Sequence, residues 1–421
     1  MKIVFLSHYF PPEVNAPANR TYEHCREWVR SGHEVHVITC VPSHPLGVPF
    51  AGYRSGWYRR ETQDGITVHR VWTCLAANRG VLKRTLNFLS FVPTAVWRAL
   101  RLGPCDIVVG TSPQFFCAVA ACVAGMMKRT PWIFELRDLW PDSIAAVGAT
   151  RRYMPMRALE RIELFMYRHA RAVVSVSRSF IENLVGRGID RGKIVFVPNG
   201  VDSVVWTAGS RSRGRASLGF DDHALVVSYI GTVGMAHDVG TILHAAGLLK
   251  QEGCRLRFVI VGDGAELSRL RDQAEAERLD ITFTGLVPRE RIPDYLAATD
   301  ISLITLKRAE VFKTVLPSKM FETMAAERPI VLAVDGEARH TLERSEGGVA
   351  VPPGDPRALA AAVRELAADP ERRRRMGDAG RAFVEREFGR AAWAARYLTV
   401  LERACLADAA ADAQPDASPL Y

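Results

Sequence analysis

Residues 256–266 have the sequence LRFVIVGDGAE, in which an apolar run ends at two glycines and opens a helical pattern. A short apolar run bounded by turn residues is typical of a buried strand, which predicts a strand over 256–261 and a helix over 265–278. Residues 225–234, LVVSYIGTVG, show the same arrangement one step earlier in the chain. Strand, glycine turn and helix in succession form the repeating unit of a parallel α/β sheet.

The same alternation extends over most of the 421 residues. It predicts two Rossmann-like, doubly wound α/β domains that face each other across a cleft, with ligands at the carboxyl ends of the strands. The predicted strands are 2–6, 66–72, 106–109, 131–135 and 172–176, then 193–197, 225–230, 256–261, 281–284, 300–305 and 329–333.

We place the N-terminal domain at 1–190 and the C-terminal domain at 191–385. Residues 386–406 are predicted to be a helix that crosses back to the first domain, and 407–421 a disordered tail because they are rich in Ala, Asp and Pro. The Ser-, Arg- and Gly-rich stretch 202–220 is predicted to be a loop, and residues 11–19 a second loop after the first strand.

The composition indicates the redox state of the cysteines and the kind of partner that the protein binds. The eight cysteines show no CxxC spacing and no histidine cluster joins them, so we expect free thiols and no metal site. The net charge of +9 favours anionic partners such as phosphates. The arginine-rich run 372–375 has acidic neighbours and no accompanying RNA-binding signature, so we expect no nucleic-acid partner.

Residues 107–127 contain no charged side chain and are long enough to span a bilayer. However, Gly110 and Pro113 interrupt the run. We therefore predict a strand over 106–109, a turn, and a helix from Phe115 to Met127 instead of a membrane span.

Residues 314–326, TVLPSKMFETMAA, contain the start of a helix whose backbone and side chains could bind a ligand. Pro317 and Ser318 favour a helix start, where backbone N–H groups without partners suit a phosphate. Lys319 adds a cation, and Glu322 lies one turn further on nearly the same face, where a carboxylate can accept both ribose hydroxyls. The alternative on spacing alone is an ordinary capped helix with Glu322 as capping-box partner.

Five ordered motifs resemble those of the family 4 retaining glycosyltransferases, over roughly residues 1–400. They are VPNGVD at 197–202, YIG at 229–231, VGDG at 261–264, FTGLV at 283–287, and PSK followed by Glu322 and MAA at 317–326. GHEVHVIT at 32–39 resembles the N-terminal domain of the family. FELRDLWP at 134–141, with PSK…E, resembles the bacterial branch that builds O-antigen and capsule, including L-fucosaminyl transferases.

The resemblance implies a GT-B fold, a nucleotide-sugar co-substrate, and retention of anomeric configuration without a cofactor or obligatory metal. The first domain would take the acceptor and the second the donor. In the second, Glu322 would hold the ribose, backbone near Val287 would meet the base, and Ser318 and Lys319 would meet the diphosphate. Asp138 stands where many relatives place a histidine beside the donor sugar, so Asp138 and Lys319 are the expected catalytic residues. Further implied donor contacts are Gly231, Gly262, Asp263, Gly264 and Thr314.

The chain departs from the family pattern at two places. Many relatives have a glutamate eight positions before Glu322, where Thr314 stands, and an arginine and a lysine after the YIG strand, where Thr232 and His237 are the nearest equivalents. Lys319, with Lys313 or Lys307, must then supply the charge that stabilises a departing nucleotide diphosphate. Candidate contacts for phosphate or acceptor are Arg20, Arg137, His237 and Lys313.

Residues 79–101 are predicted to form an interfacial membrane helix. Basic residues flank an apolar stretch from Leu86 to Trp97, and Pro93 is expected to kink or split the helix. The alternative is a helix buried in the N-terminal domain. The predicted apolar face contains Leu82, Leu86, Leu89, Val96 and Leu100. With the lipid-linked acceptors that the family uses, this predicts a peripheral enzyme at the cytoplasmic face of the membrane, acting on a polyprenyl-diphosphate-linked saccharide with a UDP-sugar.

Other classes stay open. A nucleotide-sugar epimerase of the same shape would need carboxylate acid/base pairs in the cleft, and no such pair stands out. A non-catalytic membrane-surface module that has lost donor-site residues would also explain why Thr314, Thr232 and His237 stand at these positions. A dehydrogenase would need GxGxxG after the first strand, where the sequence has Pro11-Pro12-Glu13.

Overall fold

The computed structural model describes residues 1–44, 46–76, 81–112, 114–139 and 155–412, with the backbone alone for 81–82, 155–156 and 407–412. The chain forms two compact units. The first contains the described residues up to 198 and those from Ala391 onward, and the second contains residues 199–390.

The first unit is built on an eight-stranded sheet in the order β3-β4-β2-β1-β5-β6-β7-β8, parallel except for β3. The strands are β1 (Lys2–Leu6), β2 (Glu34–Cys40), β3 (Tyr58–Gln63), β4 (Ile66–Val71), β5 (Ile107–Thr111), β6 (Trp132–Leu136), β7 (Ala172–Ser175) and β8 (Ile194–Phe196). The helices are α1 (Ala16–Arg30), α2 (Val81–Leu100), α3 (Phe115–Lys128), α4 (Pro155–His169) and α5 (Arg178–Gly186), with a 3₁₀ turn at Arg191–Lys193.

The second unit has a six-stranded parallel sheet in the order β11-β10-β9-β12-β13-β14. Its strands are β9 (Leu225–Ile230), β10 (Leu256–Val261), β11 (Ile281–Gly285), β12 (Ile301–Thr305), β13 (Ile330–Ala333) and β14 (Gly348–Ala350). Its helices are α6 (Ser203–Thr207), α7 (Arg211–Leu218), α8 (Val239–Gln251), α9 (Leu267–Ala276), α10 (Ile292–Ala298), α11 (Ser318–Ala325), α12 (Glu337–Ser345), α13 (Pro356–Ala368) and α14 (Pro370–Phe388), with 3₁₀ turns at Arg289–Arg291 and Glu310–Thr314. The parallel sheets, with helices on both faces, confirm the doubly wound prediction for each unit.

The last helix, α15 (Arg390–Asp412), belongs to the first unit from Ala391 onward. Successive side chains of a strand point to opposite faces, so the first sheet buries two cores. One contains Val4 and Leu6 with residues of α2 to α5, and the other contains Ile3 and Phe5 with residues of α1 and α15. The Trp28 indole N–H donates to the Ala394 carbonyl at 3.2 Å, which fixes α15 against α1.

Two features of the chain connection differ from the sequence prediction. Residues 193–197 were expected to open the second sheet, with the boundary at 190/191. β8 instead pairs in parallel with β7, so the first sheet ends with it and the units divide after Pro198. Residues 202–220 are not a loop: Asp202 and Ser210 accept N–H bonds at the starts of α6 and α7.

Local corrections also follow from capping and turn chemistry. The predicted loop at 11–19 is shortened because α1 starts at Ala16, where Asn15 Oδ1 accepts the Ala18 N–H at 2.9 Å. The antiparallel hairpin β3–β4 was missed, although Asp64-Gly65 at its turn has the positive φ angles that such turns require.

α2 runs through Pro93 without a break, which corrects the predicted split. Pro93 and Leu89, whose carbonyl lies four residues earlier, are exposed, so water can satisfy that carbonyl. Leu86, Leu89 and Leu100 are exposed, but Val96 is buried beside Phe91 and is not part of the predicted apolar face.

The strand, turn and helix predicted within 107–127 are confirmed as β5 and α3. Within the described part of the chain, no helix combines the length and apolarity needed to cross a bilayer. The tail prediction is corrected for 407–412, which continue α15, while 413–421 lie outside the described residues.

Candidate functional site

The second sheet has its topological switch point between β9 and β12, where the strand order reverses. Open α/β sheets bind ligands outside the carboxyl ends of the strands at such a point. The Thr305 hydroxyl at the end of β12 donates to the His237 carbonyl at 2.6 Å, which ties the loop after β9 to this place. Lys319 reaches the same place from α11 and donates to the Tyr229 hydroxyl at 3.0 Å.

The turns after β9 and β10 are interlocked through their glycines. A Cβ on Gly262 would lie 1.9 Å from the Gly231 carbonyl oxygen, and one on Gly264 would lie 2.2 Å from the Val233 carbonyl oxygen. Gly231 and Gly262 also have φ angles of 147° and 140°, a region that strains any residue with a side chain. The family resemblance implied that these glycines contact the donor, and the structure shows that backbone packing already requires glycine at these positions.

Asp263 stabilises this pair of turns. Its backbone carbonyl accepts the Val233 N–H at 2.9 Å, and its Oδ1 accepts the Gly264 N–H at 2.7 Å. The Asp263 carboxylate is therefore engaged in holding the turn, and Gly231, Gly262 and Gly264 form one rigid wall at the strand ends.

Lys319 is the cation that the structure brings to this wall. Its Nζ lies 4.1 Å from the centre of the Tyr229 ring, and Tyr229 donates its own hydroxyl proton to the Thr232 carbonyl at 2.7 Å. A Cβ on Gly231 would come within 2.6 Å of this Nζ, so the lysine needs glycine there. Burial lowers the pKa of Lys319 to about 8, and the nearby Glu322 carboxylate opposes that shift.

The start of α11 decides between the two interpretations of Ser318 and Glu322. Pro317 is the N-cap and makes no side-chain cap, so Ser318 is already the first helical residue. A capping box needs a side-chain acceptor at the N-cap and an acid three residues later, where Met320 stands. The capping-box interpretation is therefore wrong, and Lys319 and Glu322 lie one turn apart on a helix that starts beside the glycine turns.

The other predicted cations contribute less. Lys313 is exposed and paired with Glu310 at 2.7 Å. Burial, with the Lys319 charge as second cause, lowers the pKa of His237 to about 3, so this histidine is neutral at physiological pH. His237 therefore does not replace the positive charge that relatives carry after the YIG strand.

Two further predicted donor contacts are placed by local structure. Thr314 ends the 3₁₀ turn before α11 and donates its hydroxyl to the Val311 carbonyl at 2.6 Å. Val287 lies in the loop after β11, and its side chain packs against the core formed by Val226, Val259 and Val261.

The residues predicted in the first unit lie at the carboxyl end of its own sheet. Arg20 Nε donates to Glu135 at 2.9 Å, and its two terminal nitrogens donate to the carbonyls of Pro198 and Val197 at 2.7 and 2.8 Å. Both partners of the ion pair are buried. These contacts assign Arg20 a structural role and argue against the predicted phosphate contact.

Arg137 and Asp138 directly follow β6. The Arg137 N–H donates to the Ser112 hydroxyl at 2.8 Å, and Asp138 is partly exposed beside it. Burial lowers the pKa of Arg137 to about 10. Among the described residues its buried Nε and Nη1 have no hydrogen-bond partner, so this guanidinium has N–H groups that could donate to a ligand oxygen.

Glu13 is a candidate that the sequence argument missed. Its Oε1 accepts the N–H groups of Ser43 and His44 at 3.0 and 2.9 Å, while its buried Oε2 has no hydrogen-bond partner in the described part of the chain. Burial raises the pKa of Glu13 to about 7. With His8, Tyr9 and other side chains it lines a small cavity. An acid in the first strand's turn was the available signal, but Pro11-Pro12-Glu13 was used only to exclude a dinucleotide motif.

Comparison with known families identifies the chain. Residues 15–200 match the family described as glycosyl transferase 4-like domain, and residues 210–383 match glycosyl transferases group 1. The chain belongs to the family 4 glycosyltransferases of the GT-B type. The second match lies entirely within the unit that contains Lys319 and Glu322.

Individual relatives agree with this assignment. The chain is 25% identical over 383 residues to the Escherichia coli K12 protein WcaI, which is assigned to colanic acid biosynthesis as a glycosyl transferase, covering 87% of this chain and 92% of that protein. Two solved structures share the fold at 17% identity. They are sucrose-phosphate synthase from Thermosynechococcus elongatus (TM-score 0.76, covering 96% of this chain and 99% of that one) and Anabaena HepE in complex with UDP-glucose (TM-score 0.73, 96% and 100%).

Proposed function

We propose that this glycosyltransferase uses a nucleotide diphosphate sugar, with a UDP-sugar as first choice, and that Lys319 is the main contact of the diphosphate. The observation that carries the proposal is the placement of the Lys319 ammonium, held by Tyr229 against the Gly231 turn at the switch point of the second sheet. Glu322, one turn along α11, would accept the ribose hydroxyls. HepE, solved with UDP-glucose, supports the choice of nucleotide.

The reaction follows from these groups. The acceptor hydroxyl oxygen forms a bond to the anomeric carbon, and the bond from that carbon to the diphosphate oxygen breaks. The leaving diphosphate gains negative charge, which the Lys319 ammonium stabilises at the moment of departure. A phosphate oxygen of the donor takes the acceptor proton on the side of departure, so configuration is retained. Asp138 would lie beside the transferred sugar, as the resemblance to the family implies.

We further propose a lipid-linked saccharide as acceptor, in the biosynthesis of a bacterial surface polysaccharide such as O-antigen or capsule. The assignment of WcaI to colanic acid biosynthesis supports the product class. The resemblance of FELRDLWP to the L-fucosaminyl branch makes an N-acetylated deoxy-sugar the first donor sugar to try.

The surface of α2 supports membrane attachment. Leu86, Leu89 and Leu100 form an exposed apolar stripe, with Lys83 and Arg84 exposed at one end. At the other end the Arg101 guanidinium lies 4.6 Å from the ring centre of Trp97, which contacts Trp57 edge to face. Apolar and aromatic groups between basic ends suit the headgroup region of anionic membranes.

Donor binding is tested by thermal shift and calorimetry over a panel of nucleotide sugars. Lys319→Gln should weaken the best donor by about tenfold or more, since a charge-assisted phosphate contact contributes about 1.5–3 kcal/mol. Glu322→Gln should weaken it less and equally for all sugars of one nucleotide. Arg255→Gln, an exposed change in the same unit, is the matched control. Equal affinity of Lys319→Gln and the control would refute the site.

Transfer and its stereochemistry need a separate measurement. With an active donor and a polyprenyl-diphosphate-linked acceptor, NMR of the product should show the anomeric configuration of the donor. An inverted product would refute the proposed proton path. Donor binding without transfer to any lipid acceptor would favour a non-catalytic module.

Membrane attachment is tested by vesicle flotation with anionic lipid. Leu86→Gln with Leu89→Gln should reduce the floating fraction, because both exposed side chains would enter the lipid. Val204→Gln with Val205→Gln removes two exposed apolar side chains from α6 and is the control. If both pairs float like the unmodified chain, α2 is not the attachment surface.

A further inference from the structure

A cavity of about 640 Å³ lies at the amino ends of β6 and β7, the edge of the first sheet opposite its predicted ligand edge. Five basic residues line it, and none of its described lining residues is acidic. The basic residues come from three segments. Arg129 follows α3, and Lys193 ends the 3₁₀ turn before β8. Arg168, His169 and Arg171 lie between the last turn of α4 and the start of β7. Its volume is within the range of small-molecule sites.

Helix geometry explains part of this charge. The carboxyl end of α4 carries partial negative charge that cations offset. Lys193 Nζ donates to the Arg168 carbonyl at 2.5 Å, and His169 Nδ1 lies 2.8 Å from the Phe165 carbonyl oxygen. These two side chains therefore already contact the carbonyl groups at the end of α4, so the arginines are not needed to offset its negative charge.

The guanidinium groups of Arg129 and Arg168 are exposed, and within the described residues neither takes part in a side-chain hydrogen bond or an ion pair. Arg171 adds a third positive charge near Lys193. Like charges from separate segments repel each other across the cavity, and an anion would relieve that repulsion. Guanidinium groups match phosphate oxygens with two parallel hydrogen bonds.

Two exposed apolar side chains accompany the basic residues of this cavity. Met126, a lining residue, is 54% exposed, and Phe165, 41% exposed, stacks on His169 with ring centres 3.9 Å apart. A phosphate on an amphiphile would place its charge among the arginines and its apolar part against these side chains.

We propose that this cavity binds a phosphate-bearing ligand through Arg129 and Arg168, supplied either by a lipid headgroup or by a soluble phosphate. The site is separate from the donor site, because the donor residues lie in the second unit. A negative result for this cavity would therefore leave the proposed function unchanged, and the reverse also holds.

The test compares Arg129→Gln/Arg168→Gln with the charge-matched control Arg255→Gln/Arg403→Gln, which removes two exposed arginines elsewhere. All chains carry Lys319→Gln, which weakens pyrophosphate binding at the donor site. One arm measures pyrophosphate by calorimetry, and the other measures partition onto phosphatidylglycerol vesicles against phosphatidylcholine vesicles. Melting temperatures should match, because neither arginine makes a described structural contact.

We call the variant Arg129→Gln/Arg168→Gln the cavity pair. In at least one arm we expect it to bind at least about tenfold more weakly than the control variant. Loss in the pyrophosphate arm identifies a soluble phosphate, and loss in the vesicle arm alone identifies a headgroup. Hydrogen exchange should show ligand protection in residues 125–132 and 168–193. If the cavity pair equals the control in both arms, the proposal is wrong.

Discussion

The carboxyl ends of the two sheets both hold basic side chains, but they use them differently. In the first unit, Arg20 connects Glu135 to two carbonyls, and Arg70 connects Glu61 to the carbonyls of Cys40 and Pro11. In the second unit, Lys319 donates to one hydroxyl and rests on an aromatic ring. A guanidinium fork suits the cross-linking of loops, whereas a single ammonium keeps donors for a ligand.

The largest effect should come from removing a cross-link. Arg20→Met would leave Glu135 buried without its partner, and removing one member of a buried pair costs about 3–5 kcal/mol. Lys319→Met should change the free energy of unfolding far less, because its partner is a neutral hydroxyl. Urea unfolding measures both. The double change Arg20→Met/Glu135→Gln should recover part of the loss, and a stability cost of Arg20→Met no larger than that of Lys319→Met would contradict the contrast.

Glu13 provides the next largest effect, through pH. A raised pKa in the folded chain means that the protonated carboxyl stabilises it, fully below pH 4.5 and progressively less as the pH rises through about 7. The shift corresponds to about 3 kcal/mol at most. Glu13→Gln keeps an oxygen for the Ser43 and His44 N–H groups and should flatten this dependence. Parallel unfolding free energies of the two chains across that range would exclude the assignment.

In the second unit the pH dependence should appear in binding. Lys319 is charged below pH 8 and neutral above it, so UDP affinity should fall as the pH rises through about 8. Bound phosphate favours the charged form and will move the midpoint of the complex upward. Calorimetry of the unmodified chain and Lys319→Gln should show this fall in the first alone, with about tenfold or more between them at neutral pH. A fall in both would indicate another group.

The smallest expected effect is that of Tyr229→Phe. The ring under the Lys319 ammonium remains, while the charge-assisted hydrogen bond from Lys319 and the neutral one to the Thr232 carbonyl are lost. Donor affinity should fall about two- to tenfold, because only the support of the ammonium changes while the ammonium itself remains to contact the diphosphate. A loss as large as that of Lys319→Gln would mean that the hydroxyl, and not the ring, positions the lysine.

Much of the fold could be predicted because its signals are local. Apolar runs that end in glycine, such as Val261-Gly262, mark strand ends without knowledge of the rest of the chain. The wrong predictions concern short segments whose place in the fold depends on which strand they pair with. β8 has a sequence that fits either sheet, and only its contact with β7 decides. Asp64-Gly65 was a usable hairpin signal that was overlooked.

The site was harder to predict because its contacts join distant segments. Glu322 and Lys319 share one helix, so their spacing was informative. The contact of Lys319 with Tyr229 spans 90 residues, and that of Arg20 with Glu135 spans 115. Nothing in the sequence near Arg20 shows that its charge is engaged, and nothing near Gly262 shows that the Gly231 carbonyl lies against it.

The return of α15 to the first unit has a consequence for synthesis. Among the described residues the second unit is the continuous segment 199–390, but one core of the first unit includes Tyr397 and Leu401 packed with Trp28. The ribosome delivers these residues after the whole of the second unit, so the apolar surface around Trp28 stays uncovered while the second unit can already fold. The first unit, most of which is translated before the second, is thus completed after it.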